Sequence, residues 1–186
     1  MSAPAAPAAP ALAAADDRPP VHGDFIWYEL MTSDPAAAEA FYKPLLGWRF
    51  APDPKIGEGY RTILVGAEPV GGALPLTGSM VAGGARAGWV GYVQVDALQP
   101  AIADAEAAGA RVLMGERAVE GVGPFAMLAD PEGAPFYLVE DRSGRPTRAF
   151  SKHVPTPGTC AWNELSARDP DGAIAFYTGL FGWRQE

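Results

Sequence analysis

Glu29 has the clearest chemical potential of any residue in this 186-residue chain, because it interrupts an apolar run, Phe25-Ile26-Trp27-Tyr28-Glu29-Leu30-Met31. If the run is a strand, Trp27, Glu29 and Met31 share one face, and Ile26, Tyr28 and Leu30 share the other. A carboxylate on an apolar face is costly unless it is paired or protonated. Glu29 therefore reads in one of two ways. It is an acid/base or hydrogen-bonding anchor with a raised pKa, or a structural partner of Arg61, of a backbone donor or of a neighbouring domain.

Other reactive types lack a supporting context. His22 and His153, the only histidines, flank the first strand and sit in a linker, where solvent exposure is expected. Cys160 is the single cysteine, which excludes an intramolecular disulfide framework and a zinc-thiolate cluster. Ser33, Ser79 and Ser166 have neither a nucleophile elbow nor a nearby histidine. Gly121-Val122-Gly123 opens no helix after a strand, so it reads as a turn rather than a phosphate loop.

The elements that must position Glu29 can be read from caps and periodicity. After the strand Phe25 to Met31, Asp34 can cap a helix that starts at Pro35 and leaves through Gly47, with Ala38, Phe41 and Leu45 on one face and Pro44 kinking or shortening the last turn. Strands fit Trp48 to Ala51, Tyr60 to Val65 and Val70 to Leu76. The grammar then recurs: a strand from Trp89 to Val95, and a helix capped by Asp96 that presents Leu98, Ile102 and Ala105 and ends at Gly109. Strands follow at Arg111 to Val119, Pro124 to Ala129 and Pro135 to Glu140. Asp130-Pro131-Glu132-Gly133 is a turn with proline at its second position. Between the halves, the glycine-rich stretch Thr77 to Gly88 reads as a flexible join that could shade a cavity mouth.

Composition narrows the function classes. With 14 basic against 22 acidic residues the net charge is -8, a field that repels phosphate backbones, so nucleic acid is not an expected partner. No apolar run approaches the ~20 residues of a membrane-spanning helix. At 48% apolar and 19% charged, the balance is that of a globular chain. Met1 to Asp17 carries prolines at positions 4, 7 and 10 and no basic start, the pattern of a disordered Ala/Pro tail rather than a secretory signal. The tail is taken to reach residue 22, and a cytoplasmic location is expected.

The chain also repeats itself. Gly23 to Phe50 aligns without a gap on Gly158 to Gln185, with fourteen identities among 28 residues, including Trp27/Trp162, Glu29/Glu164, Phe41-Tyr42/Phe176-Tyr177 and Gly47-Trp48-Arg49/Gly182-Trp183-Arg184. In this alignment Cys160 replaces Phe25, so it reads as an apolar strand residue. A fainter repeat at a shift of 62 pairs Trp27 with Trp89, Asp34 with Asp96 and Gly47 with Gly109.

Asp34 followed by Phe41-Tyr42 and Gly47-Trp48, with Asp130-Pro131-Glu132-Gly133 before the last strand, resembles the vicinal oxygen chelate superfamily of glyoxalases, bleomycin-resistance proteins and extradiol dioxygenases. The resemblance implies an α+β fold, with paired βαβββ modules forming a curled mixed-sheet cup that holds the metal or small molecule. Residues 23–141 would be one such domain and 142–157 a linker made locally basic by Arg142, Arg145, Arg148 and Lys152. Residues 158–186 would be the first strand and helix of an incomplete second copy. On that reading the chain is a fragment of a protein of about 275 residues. Trp162, Phe176, Leu180, Phe181 and Trp183 should then form an exposed apolar surface; alternatively, the stub completes a homodimer by exchange between chains.

In metal-dependent relatives a histidine in the first strand and a glutamate in the last strand of a module hold a divalent ion. Here those positions fall on Trp27 and Tyr137, and the internal repeat carries them to Trp89, or Val90 after a one-residue slip, and to Pro75. None chelates an ordinary divalent ion. No metal or other cofactor is therefore expected in this domain; a divalent metal would belong to a fuller relative. Trp27, Glu29, Met31, Trp89 and Tyr137 are expected to line the cup, as a ligand pocket or as a packed core. The leading expectation is metal-free binding of a small aromatic or apolar molecule. The alternatives are a lyase or dioxygenase whose metal site lies in a second domain or whose chemistry is run by Glu29 and Tyr137, and an assembly module with a filled cup.

Overall fold

The computed structural model describes residues 18–151 and 155–185; His153 and the expected tail Met1–Asp17 lie outside them. The first module comprises β1 (Phe25–Thr32), α1 (Pro35–Leu46), β2 (Arg49–Pro52), β3 (Arg61–Val65) and β4 (Glu68–Pro75). A short α2 (Gly78–Ala82) leads to the second module: β5 (Gly88–Gln94), α3 (Leu98–Ala107), β6 (Arg111–Val119), β7 (Gly123–Ala129) and β8 (Pro135–Val139). A final helix, α4, spans Pro170–Phe181. The eight strands form one mixed sheet in the order β2-β3-β4-β1-β5-β8-β7-β6. Its two halves meet where β1 runs antiparallel to β5, and each of these strands has a parallel neighbour from its own module, β4 and β8. This is the expected α+β curled-sheet architecture.

Local chemistry accounts for most boundaries. Asp34 accepts a hydrogen bond from the Ala37 amide at 2.9 Å, Pro35 starts α1, and Gly47 leaves it in a left-handed conformation at φ 69°. Pro44 does not cut the helix short; α1 runs on to Leu46. Asp96, the expected cap of α3, does not cap it. The N-cap position is Ala97, and the Leu98 amide donates instead to a Glu140 carboxylate oxygen at 3.0 Å, from just beyond β8. That bond is the leading reason why Glu140 titrates below the usual carboxylate range. The expected flexible join contains α2, capped by Thr77, and its Met80 packs against the sheet.

Three apolar clusters divide the sheet's two faces. On the helical side, Phe50, Ile63, Val65, Val70 and Ala73 meet Tyr42 and Trp48. Val93, Leu138 and Phe136 meet Leu98, Ile102 and Ala105 of α3. On the opposite face, Met31, Val90 and Tyr137 gather with Tyr92, Phe125, Met114 and Met127.

The carboxyl-terminal segment departs from expectation. Phe176 and Phe181 are buried at 6% and 3% exposure within the α3 cluster, with Tyr177, Leu180 and Trp183 packed beside them. The large apolar surface foreseen there is absent, because α4 lies across α3 and covers it; of the five residues foreseen, Trp162, 78% exposed, is the one that stays in solvent. The expected first strand of this segment also fails to form. Among the described residues its backbone makes a single bridge, Phe150 to Cys160, and a strand needs a ladder. His22 is half-buried rather than exposed: its Nε2 lies 3.0 Å from the Leu180 carbonyl oxygen and its ring leans on Phe181. Arg18 pairs with Asp24, so the end of the expected tail is held at the domain surface.

Candidate functional site

Glu29 lies at the centre of the inner face, 4% exposed, beside the β1–β5 seam. Its ladder partners are Gly72 on β4 and Val90 on β5. Because Gly72 has no side chain, the Tyr60 hydroxyl, carried by the residue before β3, occupies that space; a Cβ at position 72 would overlap it. From the other side, the Tyr92 hydroxyl donates to Glu29 Oε1 at 3.3 Å. Tyr92 and Tyr137 are ladder partners in β5 and β8, and their rings stack with centroids 4.0 Å apart and planes 8° apart.

Glu29 thus accepts a hydrogen bond from Tyr92, and the Tyr60 and Tyr137 hydroxyls lie close enough to favour its charged form as well. The Trp27 indole, which can only donate, lies beside Tyr60 and favours its charged form. Burial pushes the Glu29 carboxyl up to about 7, against the opposing pull of the three hydroxyls. All three tyrosines are pushed up, first by burial and then by the neighbouring Glu29 charge, so they remain neutral hydroxyl donors across the physiological range. The arrangement can hold a polar group against a flat apolar wall. Its carboxyl can also gain or lose a proton near neutral pH.

The structure sorts the expected site residues. Trp27, Glu29, Met31 and Tyr137 come together on the inner face, with Met31 and Tyr137 each 3% exposed. Trp89 does not join them. Residues directly opposite each other in a ladder share a face, and Trp89 faces Leu30, whereas Val90 faces Glu29 and Tyr92 faces Trp27. Trp89 therefore stands on the helical side, 40% exposed, donating to the Tyr42 hydroxyl at 3.0 Å and packing edge-on against Tyr42 and Trp48. The one-residue slip, which puts Val90 inside, is the arrangement found. Arg61 does not partner Glu29 either. It alternates with Ile63 and Val65 on the helical side and pairs there with Glu39 of α1. Glu164, the repeat counterpart of Glu29, is exposed.

Sequence reasoning missed Tyr60, Gly72 and Tyr92. Tyr92 follows from the slip, since a strand with Val90 inside must also turn residue 92 inward. For Tyr60 and Gly72 no sequence signal was at hand, because their roles depend on the ladder between β1 and β4. A separate groove of about 370 Å³ runs between the Asp130–Gly133 turn and the start of α4. Its carboxylates are already engaged: Asp130 accepts from Tyr177, and Glu132 from the Arg168 and Asp169 amides.

The family described as "Glyoxalase-like domain" matches residues 27–139. The chain is 30% identical over 158 residues to "Putative glyoxylase CFP32" of Mycobacterium tuberculosis, and 30% identical over 168 residues to "Anthracycline biosynthesis protein DauV" of a Streptomyces species. Each alignment covers 84% of this chain and 59% of the relative, so the chain spans a little over half the length of these proteins. Among solved structures, a Mn(II)-bound glyoxalase from Novosphingobium aromaticivorans superposes with a TM-score of 0.53 at 14% identity, over 90% of this chain and 54% of that one; it shares the fold.

A divalent ion of the kind in that structure does not fit the donors here. No three His, Cys, Asp or Glu residues come together among the described residues. The inner positions at the seam hold Trp27, Val90, Gly72 and Tyr137, with Glu29 the one carboxylate in the cluster. The fold, the matched domain and the curated relatives agree: the chain belongs to the glyoxalase-like family of the vicinal oxygen chelate superfamily.

Proposed function

We propose that the inner face of this sheet binds a small aromatic or apolar molecule without a metal ion, with Glu29 and its tyrosines as the polar anchor. The observation that carries this reading is the composition of the face. Four methionines, Met31, Met80, Met114 and Met127, and the aromatic rings of Tyr92, Phe125 and Tyr137 share this face with one buried carboxyl. Methionine and aromatic walls adapt to flat apolar ligands, while a few fixed polar groups orient them. Half-buried Trp27 and Tyr92 border the cluster, and α2 contributes Met80 to it.

The test is a thermal-shift and fluorescence titration of the whole chain with a panel of aromatic compounds, with and without added Mn(II). An anthraquinone belongs in the panel, since one relative is named for anthracycline biosynthesis. A dose-dependent rise in Tm with at least one ring compound, unchanged by Mn(II) or chelator, is the expected result. Binding that appears only with Mn(II), or none across the panel, overturns the reading.

A second reading has its own support. A carboxyl that titrates near 7 beside three phenols can act as a general acid or base on a bound substrate. A bell-shaped or sigmoidal rate profile centred near pH 7, lost in Glu29→Gln while ligand still binds, would favour this reading over binding alone.

A further inference from the structure

We infer that the Glu29 cage takes a cationic amine, an ammonium or quaternary nitrogen carried on a flat apolar body. The inference rests on the binding reading above and names the ligand class. Glu29 is a buried carboxylate, and no arginine, lysine or histidine among the described residues pairs with it; Arg61 of β3 is held by Glu39 on the opposite face. A buried charge met only by hydroxyls is neutral or lacks a counter-ion. Aromatic side chains gather around it, with Tyr92 and Tyr137 stacked on one another beside Phe125 and with the Tyr60 phenol and the Trp27 indole close by, and aromatic rings are groups that attract a cation. The net charge of -8 adds a long-range field of the right sign, and an anionic ligand would meet both that field and the carboxylate.

The protonation state of Glu29 sets the affinity. The titratable groups facing it are Tyr60 ahead of β3, Tyr92 on β5 and Tyr137 on β8, with Asp53 near Tyr60; Gly72 on β4 contributes none. The tyrosines stay neutral, so between about pH 6 and 8 the change in charge is that of Glu29, whose carboxyl titrates at about 7. A cation binds the ionised form, and its affinity falls as pH drops through that value. A permanently charged probe removes the ligand's own titration from the measurement.

The experiment titrates the full chain with benzyltrimethylammonium, benzyl alcohol and phenylacetate, following tryptophan fluorescence and heat. At about pH 8 the quaternary cation should bind at least tenfold tighter than benzyl alcohol, and phenylacetate weakest of the three. Moving to about pH 6 should weaken the cation roughly tenfold and leave benzyl alcohol unchanged. Glu29→Gln should abolish the cation's advantage; if that variant does not fold, the pH arm on the unmodified chain decides alone. Benzyl alcohol binding as tightly as the cation, or a cation affinity indifferent to pH, overturns the amine assignment and leaves the binding reading standing. If none of the three probes binds, and the wider aromatic panel also fails, both fall.

Discussion

Glu29 carries a stability signature that can be measured without any ligand. Its carboxyl moves from its ordinary value of 4.5 to about 7 on folding, chiefly through burial. Below about pH 4.5 it is protonated in both states. Between 4.5 and 7 the unfolded chain carries a charge that the folded chain avoids, so stability falls as pH rises through this window and levels off above the folded pKa. A shift of this size corresponds to about 3 kcal/mol. Urea unfolding at pH 5 and pH 8 should therefore show the native chain losing about 2.5 kcal/mol relative to Glu29→Gln, which has no charge to bury. Parallel slopes for the two proteins would remove the buried carboxyl from the account. That Glu29 would need special treatment was legible from one carboxylate in an apolar alternating run. Its partners were not, because Arg61 looks adjacent in any pairing of strands yet alternates with Ile63 and Val65 toward α1.

At the level of the elements, the site depends on how closely β4 approaches β1. Gly72 lies opposite Glu29 in the parallel ladder, and the volume a side chain would fill there is taken by the Tyr60 hydroxyl. Gly72→Ala must push that ring out of the cluster, taking one hydroxyl from beside Glu29, at an overpacking cost of about 1–3 kcal/mol. Because the clash is with Tyr60 itself, Gly72→Ala combined with Tyr60→Ala should cost less than the sum of the two single changes, a coupling that denaturant unfolding of all four proteins would resolve. Additive costs would mean that the glycine serves the backbone alone. The strands themselves were legible from alternation to within a residue or two, and α1 from Asp34, Pro35 and Gly47. The face of Trp89 was not. Trp89 lies opposite Leu30 and Val90 opposite Glu29, one residue out of step with the repeat, and a single-residue slip exchanges the two faces of a strand. Repeat alignment matched tryptophan to tryptophan where the ladder matches Tyr92 to Trp27.

Across the whole molecule, one short sequence pattern is used twice with opposite outcomes. Residues 34–47 and 169–182 share the Asp cap, the proline start and the left-handed glycine exit, at φ 69° for Gly47 and 67° for Gly182. The recurrence, and with it the helix of α4, was visible in the fourteen identities. What each helix touches depends on the sheet beneath it, which no alignment of two short segments contains. Phe181 of α4 sits among Phe136, Tyr177 and Trp183 at 3% exposure, and Trp183 reaches on to donate to the Gly23 carbonyl oxygen at 2.9 Å. In α1, Phe41 and Leu45 are 61% and 64% exposed. Truncating a buried ring leaves a cavity and loses its transfer energy, whereas truncating an exposed one changes little. Phe181→Ala should therefore cost about 3 kcal/mol, and Phe41→Ala less than about 0.5 kcal/mol, in chemical denaturation of the full chain. If α4 is docked, Phe181→Ala should also raise amide exchange in α3, whose Ala101, Ile102 and Ala105 belong to the same cluster. Equal costs at the two positions would mean that α4 does not hold its place on α3 in solution.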